Sequence, residues 1–412
     1  MESISPAELA VELLNHCLRG SQWPQDVLRA LTDEALDEDE RLAAPATRAL
    51  FSILVERLAD LFEPALCDTY AALFSTVIEQ ALPELRATEL LQRYRQVRTV
   101  RPVTSTPDDI FVPSRVTLGA DVAVTSIVLD AARRRFPKAR LWFVGPKKAW
   151  ELFERSPDVC HLPVAYGRRG LLADRLAVYH ELRQALAQPN SLVLDPDSRL
   201  TQLGLLPVCP PENHHLFESR SYGGDSLSSL PELTRQWVRE TLGVDDAQPW
   251  LHPKFEYDFS AQRVTTVSLG VGENPAKRIE DPFESELLQL LAARPGLVMV
   301  DAGAPGSEEE QRVRQAIEST GLSADRIGLH QGSFASFAAM IAASELYAGY
   351  DSAGQHVAAA LGIPLITVFA GYASDRMFAR WRPDSPGPTT VIQAGSKRPA
   401  ELLASVRAAL PS

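Results

Sequence analysis

The chain has 412 residues, of which 45% are hydrophobic and 23% charged, and its formal net charge is −12. This length predicts two or three domains. The acidic balance disfavours nonspecific binding of nucleic acids, which relies on a basic footprint, and it weakens any electrostatic attachment to anionic membranes. No stretch of the sequence approaches the roughly eighteen apolar residues that a membrane span requires.

The N-terminus and the cysteines indicate a cellular compartment. The opening residues, MESISPAELAVELL, carry acidic side chains where a secretory signal has basic ones, so we expect no signal peptide. Cys17, Cys67, Cys160 and Cys209 lie far apart without a CxxC pair, which argues against zinc and against a disulfide framework. We therefore predict a cytoplasmic protein without a metal or other cofactor.

The first hundred residues have the periodicity of helices. Apolar residues recur at spacings of three and four over residues 46–62 and again over 65–82. Pro83 interrupts this pattern, and a third helix is predicted over 84–97. A Pro- and Thr-rich segment at 99–108 then indicates an extended linker. We predict a helical N-terminal domain over residues 1–104.

Beyond this linker, short apolar runs alternate with helical patterns, which favours α/β domains with doubly wound parallel sheets. A Rossmann-like domain is predicted over 105–250, with strands at 109–112, 140–144 and 191–195 and helices at 124–136 and 228–242. A second is predicted over 251–412, with strands at 263–269, 296–301, 346–349 and 364–369 and a helix at 308–319. Such sheets bind their ligands beyond the carboxyl ends of the strands.

The most informative segment is YAGYDSAGQHVAAALGIP, at residues 347–364. A strand ends there in a turn of small residues, and an alanine-rich helix begins near residue 355. The turn consists of Asp351, Ser352, Ala353 and Gly354. Small residues let a ligand approach the backbone, and free N–H groups at a helix start attract an anion. His356 could then bond a phosphate oxygen and Asp351 a sugar hydroxyl; an N-capping Asp or Ser with a solvated histidine explains the pattern equally well.

A second segment, VSLGVGENPAKR, runs from a strand into a loop that contains Gly270, Gly272 and Lys277. Such a loop can face a phosphate while the lysine neutralises leaving-group charge. Most stretches of this kind are turns with a solvated lysine.

Two further candidates lie between residues 105 and 250. Asp121 follows the first strand where a helix should start, so it could remove a proton from an acceptor hydroxyl, although a helix N-cap is the default interpretation. Arg168 and Arg169 form a basic spot that could meet an anionic acceptor, but solvated surface arginines are the commoner explanation.

Together these segments resemble the motifs of the bacterial heptosyltransferases, glycosyltransferase family 9. Residues 119–137, GADVAVTSIVLDAARRRFP, resemble the opening motif of the family. The loop with Lys277 resembles its lysine loop, and residues 350–364 resemble its donor motif. The segments occur in the family's order and cover the chain from about residue 109 onward. One departure is that Ala120 stands where the family has glycine, with Gly119 one position earlier.

The resemblance implies a GT-B fold, with an acceptor side in the first Rossmann-like domain and a donor side in the second. Asp121 matches the proposed catalytic base, Lys277 and His356 match residues that hold the donor diphosphate, and Asp351 matches one that contacts the donor sugar. Ser352, Ala353 and Gly354 would offer backbone donors. The implied reaction is a metal-independent inverting displacement, in which a hydroxyl of a glycan, lipid-linked or protein acceptor attacks a nucleotide-diphosphate sugar, with ADP-heptose as a candidate donor.

Two other functions stay open at this point. A nucleotide-sugar epimerase of the same architecture would need further acid–base groups, which the sequence does not reveal. An inactive nucleotide-sugar-binding or scaffold protein is favoured if the turn at Ala120 requires a positive φ. The joint presence of Asp121, Lys277, Asp351 and His356 favours catalysis. The helical N-terminal domain is predicted to cap the first Rossmann-like domain, or else to bind an acceptor or a second copy.

Overall fold

The computed structural model describes residues 4–167, 170–272 and 274–411. By their contacts they divide into two compact units. Unit 1 comprises Met1–Thr117, Val128–Lys147 and Asp158–Ala247, and unit 2 comprises Leu118–Ile127, Lys148–Pro157 and Gln248–Ser412. Two short segments therefore belong by contact to unit 2 although unit 1 surrounds them in chain order.

Unit 1 begins with the predicted helical region. Its helices are α1 (Pro6–Leu18), α2 (Gln25–Ala35), α3 (Glu40–Arg48), α4 (Glu56–Asp60), α5 (Pro64–Ala81) and α6 (Ala87–Val97). A widened π-helical segment, Ala49–Val55, joins α3 to α4, so the helix predicted over 46–62 is part of a longer one. Pro64 occupies the first turn of α5, where its missing N–H costs nothing.

The first sheet is parallel and has five strands among the described residues: β1 (Asp109–Pro113), β2 (Arg140–Gly145), β3 (Val159–Pro163), β4 (Ser191–Asp195) and β5 (His214–Leu216). Their spatial order is β3-β2-β1-β4-β5, so the direction of winding reverses between β1 and β4. The helices that lie among these strands in chain order are α7 (Leu118–Ala120), α8 (Ser126–Arg135), α9 (Lys147–Trp150), α10 (Leu172–Leu186) and α11 (Leu230–Leu242), of which α7 and most of α9 count with unit 2.

Within unit 1, the helical region and the first sheet share one hydrophobic core. Leu54 and Phe74 from the helices belong to the same buried cluster as Phe111 of β1 and Val193 of β4. The loop that follows β4 adds several leucines to this cluster, among them Leu203. The helices therefore pack against the sheet in a common core. The division into three domains stays a prediction.

Arg93, on the buried face of α6, fastens the helical region to the sheet. Its guanidinium donates to the carbonyl oxygens of Gly204 and Cys209, both at 3.2 Å, and lies 2.7 Å from Nδ1 of His214. Because arginine can only donate, Nδ1 accepts, and Nε2–H of His214 then donates to Asp195 Oδ2 at 3.2 Å. Burial lowers the pKa of His214, which keeps this imidazole neutral.

Replacing Arg93 should therefore destabilise unit 1. In Arg93→Leu, two buried carbonyl groups and the imidazole lose their donor, and we expect the free energy of unfolding to fall by about 3 kcal/mol. Urea denaturation followed by circular dichroism measures this change. Arg95→Leu, at an exposed position of the same helix, is the matched control. Equal effects of the two substitutions would show that the buried contacts contribute little.

Unit 2 contains a six-stranded parallel sheet of β6 (Val264–Ser268), β7 (Leu297–Asp301), β8 (Ile327–His330), β9 (Leu346–Tyr350), β10 (Leu365–Phe369) and β11 (Thr389–Gln393). The helices are α12 (Phe283–Ala292), α13 (Glu308–Thr320), α14 (Phe334–Ala342), α15 (Ala353–Ala360), α16 (Asp375–Trp381) and α17 (Pro399–Ala409). The spatial order β11-β10-β9-β6-β7-β8 places the reversal between β6 and β9. The prediction of two Rossmann-like parallel sheets is confirmed.

Candidate functional site

The predicted donor residues follow two neighbouring strands of unit 2. β6 and β9 are paired, with Ser268 beside Gly349 at their carboxyl ends. The loop that leads to Lys277 and the turn at Asp351 therefore leave the sheet side by side. This edge of the reversal point is where doubly wound sheets bind ligands.

Lys277 and Asp351 join these two loops by an ion pair. The lysine Nζ donates to Asp351 Oδ2 at 2.7 Å and to the Asp351 carbonyl oxygen at 3.1 Å. The lysine side chain is 19% exposed and the aspartate side chain 11%, so water screens the pair only in part. Asn274 shapes the loop, because its side chain accepts from the Ala276 amide and donates to the Gly371 carbonyl. Lys277 is thus a partly buried, positioned cation and not a solvated one.

The second carboxylate oxygen of Asp351 has a partner that the sequence analysis missed. Gln355 donates from Nε2 to Asp351 Oδ1, and Thr367 on β10 donates to Gln355 Oε1 at 2.8 Å. Both of these side chains are fully buried. The carboxylate is therefore held in one orientation, with Lys277 on one oxygen and an amide on the other. A glutamine four residues after an aspartate at a helix start was the available signal.

The first turn of α15 has no side-chain cap. Ser352 occupies the N-cap position, but its side chain makes no capping hydrogen bond; its hydroxyl instead lies 3.0 Å from Tyr347 Oη and 3.4 Å from Ser268 Oγ. A Cβ at Gly354 would lie 2.6 Å from Tyr347 Oη, so only glycine fits there. The helix start thus keeps backbone donors and positive dipole potential for a ligand.

His356 lies in this first turn and is 5% exposed, so the alternative of a solvated histidine is wrong. Its ring packs against Trp381, with 5.7 Å between ring centroids. Burial, with Lys277 adding to it and Asp351 opposing it, lowers the pKa of His356 to about 4. The imidazole is therefore neutral near pH 7. It can offer a hydrogen bond to a phosphate oxygen, while the positive charge comes from the lysine and the helix dipole.

Asp121 is not a helix N-cap, because the helix already begins with α7 and continues as a π-helical segment over Asp121–Thr125. Its carboxylate is fully buried, and Oδ1 accepts a hydrogen bond from Thr125 Oγ1 at 2.7 Å. This whole segment belongs to unit 2 and packs on α15. At Gly119 a Cβ would lie 3.2 Å from His356 Cδ2. The structure thus brings the predicted base segment onto the helix that carries His356.

The alanine at position 120 fits its backbone conformation. Ala120 has φ −73° and ψ −34°, which is ordinary right-handed helix. The close approach occurs one residue earlier, at Gly119. The substitution therefore imposes no strain on the segment, and the feature that favoured an inactive protein loses its physical basis.

The glycines of the lysine loop border an acidic group that the sequence analysis also missed. A Cβ at Gly270 would lie 2.9 Å from Glu309 Oε1, at the start of α13, and Gly272 has φ +60°. Burial raises the pKa of Glu309. A carboxylate beside this loop suits hydroxyl groups of a ligand better than its phosphates.

The remaining predicted features add no further group to this site. Arg168 and Arg169 lie outside the described residues. Across the described ranges, no cluster of three or more His, Cys, Asp or Glu side chains is arranged to hold a metal ion. Nor is any helix in this part of the chain long and apolar enough to span a membrane.

Comparisons with known proteins bear on the family and the fold. Residues 275–393 match the family model described as Glycosyltransferase family 9 (heptosyltransferase). This range contains Lys277, Asp351 and His356. No curated protein sequence matches the chain.

Three solved structures resemble the chain over most of its length. A glycosyl transferase family 9 protein from Veillonella parvula DSM 2008 is 14% identical, with a TM-score of 0.54, over 74% of this chain and 92% of the other. E. coli heptosyltransferase WaaC with ADP is 16% identical, with a TM-score of 0.52, over 73% of this chain and 100% of the other. E. coli ADP-heptose lps heptosyltransferase II is 19% identical, with a TM-score of 0.50, over 73% of this chain and 98% of the other.

The two parallel sheets and these similar structures define a fold of the GT-B class. Residues 275–393 match the model of glycosyltransferase family 9, and over most of its length the chain is similar in fold to heptosyltransferases of that family.

The neutral state of His356 leads to a prediction about stability. The unfolded chain takes up a proton here below about pH 6.5, whereas the folded chain does so only near pH 4. The stability that depends on the neutral ring is therefore complete above pH 6.5 and is lost as the pH falls toward 4. Between about pH 7.5 and about pH 5, the wild type should lose about 2 kcal/mol more than His356→Gln.

Urea denaturation at each pH measures this difference. His180→Gln, at an exposed histidine of unit 1, controls for the loss of a surface imidazole. If the wild type and His356→Gln lose the same stability on acidification, His356 is not held neutral by burial.

Proposed function

We propose that the protein is an inverting, metal-independent glycosyltransferase that moves a sugar from a nucleotide-diphosphate donor to a hydroxyl of a glycan, lipid-linked or protein acceptor. The observation that carries this proposal is that the predicted donor residues and the segment of the predicted base all lie against α15, a helix within the residues that match family 9. The Lys277–Asp351 pair and His356 adjoin the start of this helix, and the segment with Asp121 packs on it. ADP-heptose is the first donor to test, because one of the similar structures is a heptosyltransferase with ADP and another is an ADP-heptose heptosyltransferase.

Donor binding follows from the charges of the site. The diphosphate is negatively charged. The first-turn amides of α15 and the neutral His356 ring can donate hydrogen bonds to it, and the Lys277 ammonium can form an ion pair with it. When the bond to the sugar breaks, the same groups stabilise the charge that develops on the leaving nucleoside diphosphate. Asp351, oriented by Gln355, and Glu309 are acceptors for hydroxyl groups of the donor. Lysine and helix dipole thus take the part that a bound cation plays in other transferases.

The chemical step is assigned to Asp121. Its carboxylate takes the proton of the acceptor hydroxyl while the hydroxyl oxygen attacks the anomeric carbon. The bond from that carbon to the diphosphate oxygen breaks on the opposite side, so the configuration inverts. Thr125, which donates to Oδ1, positions the carboxylate.

A cytoplasmic role in lipopolysaccharide or other glycan synthesis is part of the proposal. The cysteines are free, and Cys17, Cys67 and Cys209 are buried. Burial raises the pKa of the Cys17 and Cys209 thiols, to about 11 and about 12, so these thiols stay protonated and unreactive. Free thiols of this kind suit a reducing compartment.

Donor binding can be tested by thermal shift with ADP-, GDP- and UDP-sugars, each with and without EDTA. A ligand at a hundred times its dissociation constant adds about 2.7 kcal/mol of stability, which such an assay detects. We expect one nucleotide to stabilise the protein equally in both buffers. Binding without sugar transfer to any acceptor would favour the scaffold alternative, and release of an epimerised nucleotide sugar would favour the epimerase.

Lys277→Met should weaken donor binding roughly tenfold to a hundredfold, because it removes charge-assisted hydrogen bonds to the diphosphate. Isothermal titration with the nucleoside diphosphate measures this loss. The exposed Lys397→Met is the matched control. In Lys277→Met/Asp351→Asn the unpaired carboxylate is also removed, so stability should recover while affinity stays low. If the double variant regained affinity, Lys277 would serve only to pair Asp351.

Asp121→Asn should leave donor affinity nearly unchanged and reduce kcat roughly a hundredfold to ten-thousandfold, because the amide cannot accept the acceptor proton. Sugar transfer and donor titration are measured on the same preparation. Thr125→Val, which removes only the hydrogen bond to Oδ1, should give a smaller loss of kcat. Full activity of Asp121→Asn would exclude this residue as the base.

A further inference from the structure

Helix α1 is apolar on two faces, of which only one packs inside unit 1. The inner face is buried and consists of Leu9, Ala10, Leu13 and Cys17. The outer face exposes Val11 by 45% and Leu18 by 50%, and Ile4, which precedes the helix by two residues, is 59% exposed. A helix that merely caps a domain needs the first face alone.

The outer face has the spacing of a coiled-coil seam. Val11 and Leu18 are seven residues apart, and the exposed Ala7 lies four residues before Val11. Leu14, which is half-buried against the core of unit 1, lies three residues after Val11 and four before Leu18. These four residues take successive d, a, d and a positions of a heptad pattern, whose complement is another helix. Two of the eight large hydrophobic side chains that are exposed in the described chain lie on this stripe, and a third, Ile4, lies just before the helix, so they form a patch and not scattered surface.

The charges beside the seam identify the partner helix. Glu8 and Glu12 flank its N-terminal part, and His16 and Arg19 flank its C-terminal part. All four lie on the solvent side of α1, together with Asn15. A helix with acid at one end and base at the other complements its own copy when the two run in opposite directions.

We propose that α1 pairs with α1 of a second copy of this chain, as an antiparallel two-helix seam. In the register where a positions face d positions, Ala7 lies opposite Leu18 of the second copy, and Val11 lies opposite Leu14. Glu8 then lies level with Cys17 of the second copy, two residues from both Asn15 and Arg19. A parallel pair would instead set Glu8 beside Glu8 and Arg19 beside Arg19. Two heptads form a short seam, so the dimer dissociates on dilution.

Sedimentation of the full-length protein over a dilution series tests the dimer. We expect a reversible monomer–dimer equilibrium, and in Leu18→Glu a dissociation constant raised roughly tenfold or more. Leu227→Glu, at an isolated leucine of unit 1 that is 64% exposed, is the matched control and should leave the equilibrium unchanged. Unaltered thermal unfolding of both variants shows that they are folded. A wild type that stays monomeric at every concentration, or a Leu18→Glu variant that dimerises normally, overturns the proposal.

Disulfide trapping tests the orientation. Ala7→Cys and Leu18→Cys are each made in a Cys160→Ser background, which removes the exposed native thiol. The two proteins are then oxidised in parallel, each alone and as an equimolar mixture. The antiparallel register predicts that the mixture forms a cross-linked dimer faster than either protein alone. If each variant cross-links to itself faster than to the other, the antiparallel pairing is wrong.

Discussion

The candidate site depends on a single ion pair between two loops. Lys277 comes from the loop after β6 and Asp351 from the turn after β9, and these strands are neighbours only because the winding reverses between them. The lysine holds one oxygen of the carboxylate in place, and Gln355 fixes the other. The same lysine helps to keep His356 neutral. Positive charge is thus concentrated on one group beside the uncapped start of α15, where it adds to the helix dipole in attracting an anion.

The helical region supplies a different kind of constraint. It is not a separate attachment in this structure, because its leucines and aromatics share a core with β1, β4 and the loop after β4. Arg93 adds a polar connection that reaches the carboxyl end of β4 through His214 and Asp195. That end of a doubly wound sheet is where ligands bind, so this connection ends at the edge on which the acceptor side was predicted.

Periodicity was enough to predict the helical region, the central strands and both parallel sheets, because buried strands such as β1 and β4 are continuous apolar runs. It missed β3 and β11, whose exposed positions break the apolar run, and the short strands β5 and β8, and it left several helices unplaced, such as α10 and α12. The motifs located Lys277, Asp351 and His356, but not Gln355, Thr367 or Glu309, whose roles exist only once the chain is folded. Asp121 was expected at a helix start on local grounds, and tertiary packing instead set it inside a helix.

The packing of residues 118–127 on α15 has a consequence for how this chain can be divided. This segment is encoded far upstream of the linker near residue 250, yet it counts with the C-terminal unit. A fragment cut at that linker would carry the donor residues but uncover the side of His356 that Gly119 covers. A chimera joined there would combine the donor helix of one parent with the base segment of another. Recombination between relatives therefore has to treat residues 118–127 and α15 as one inherited block.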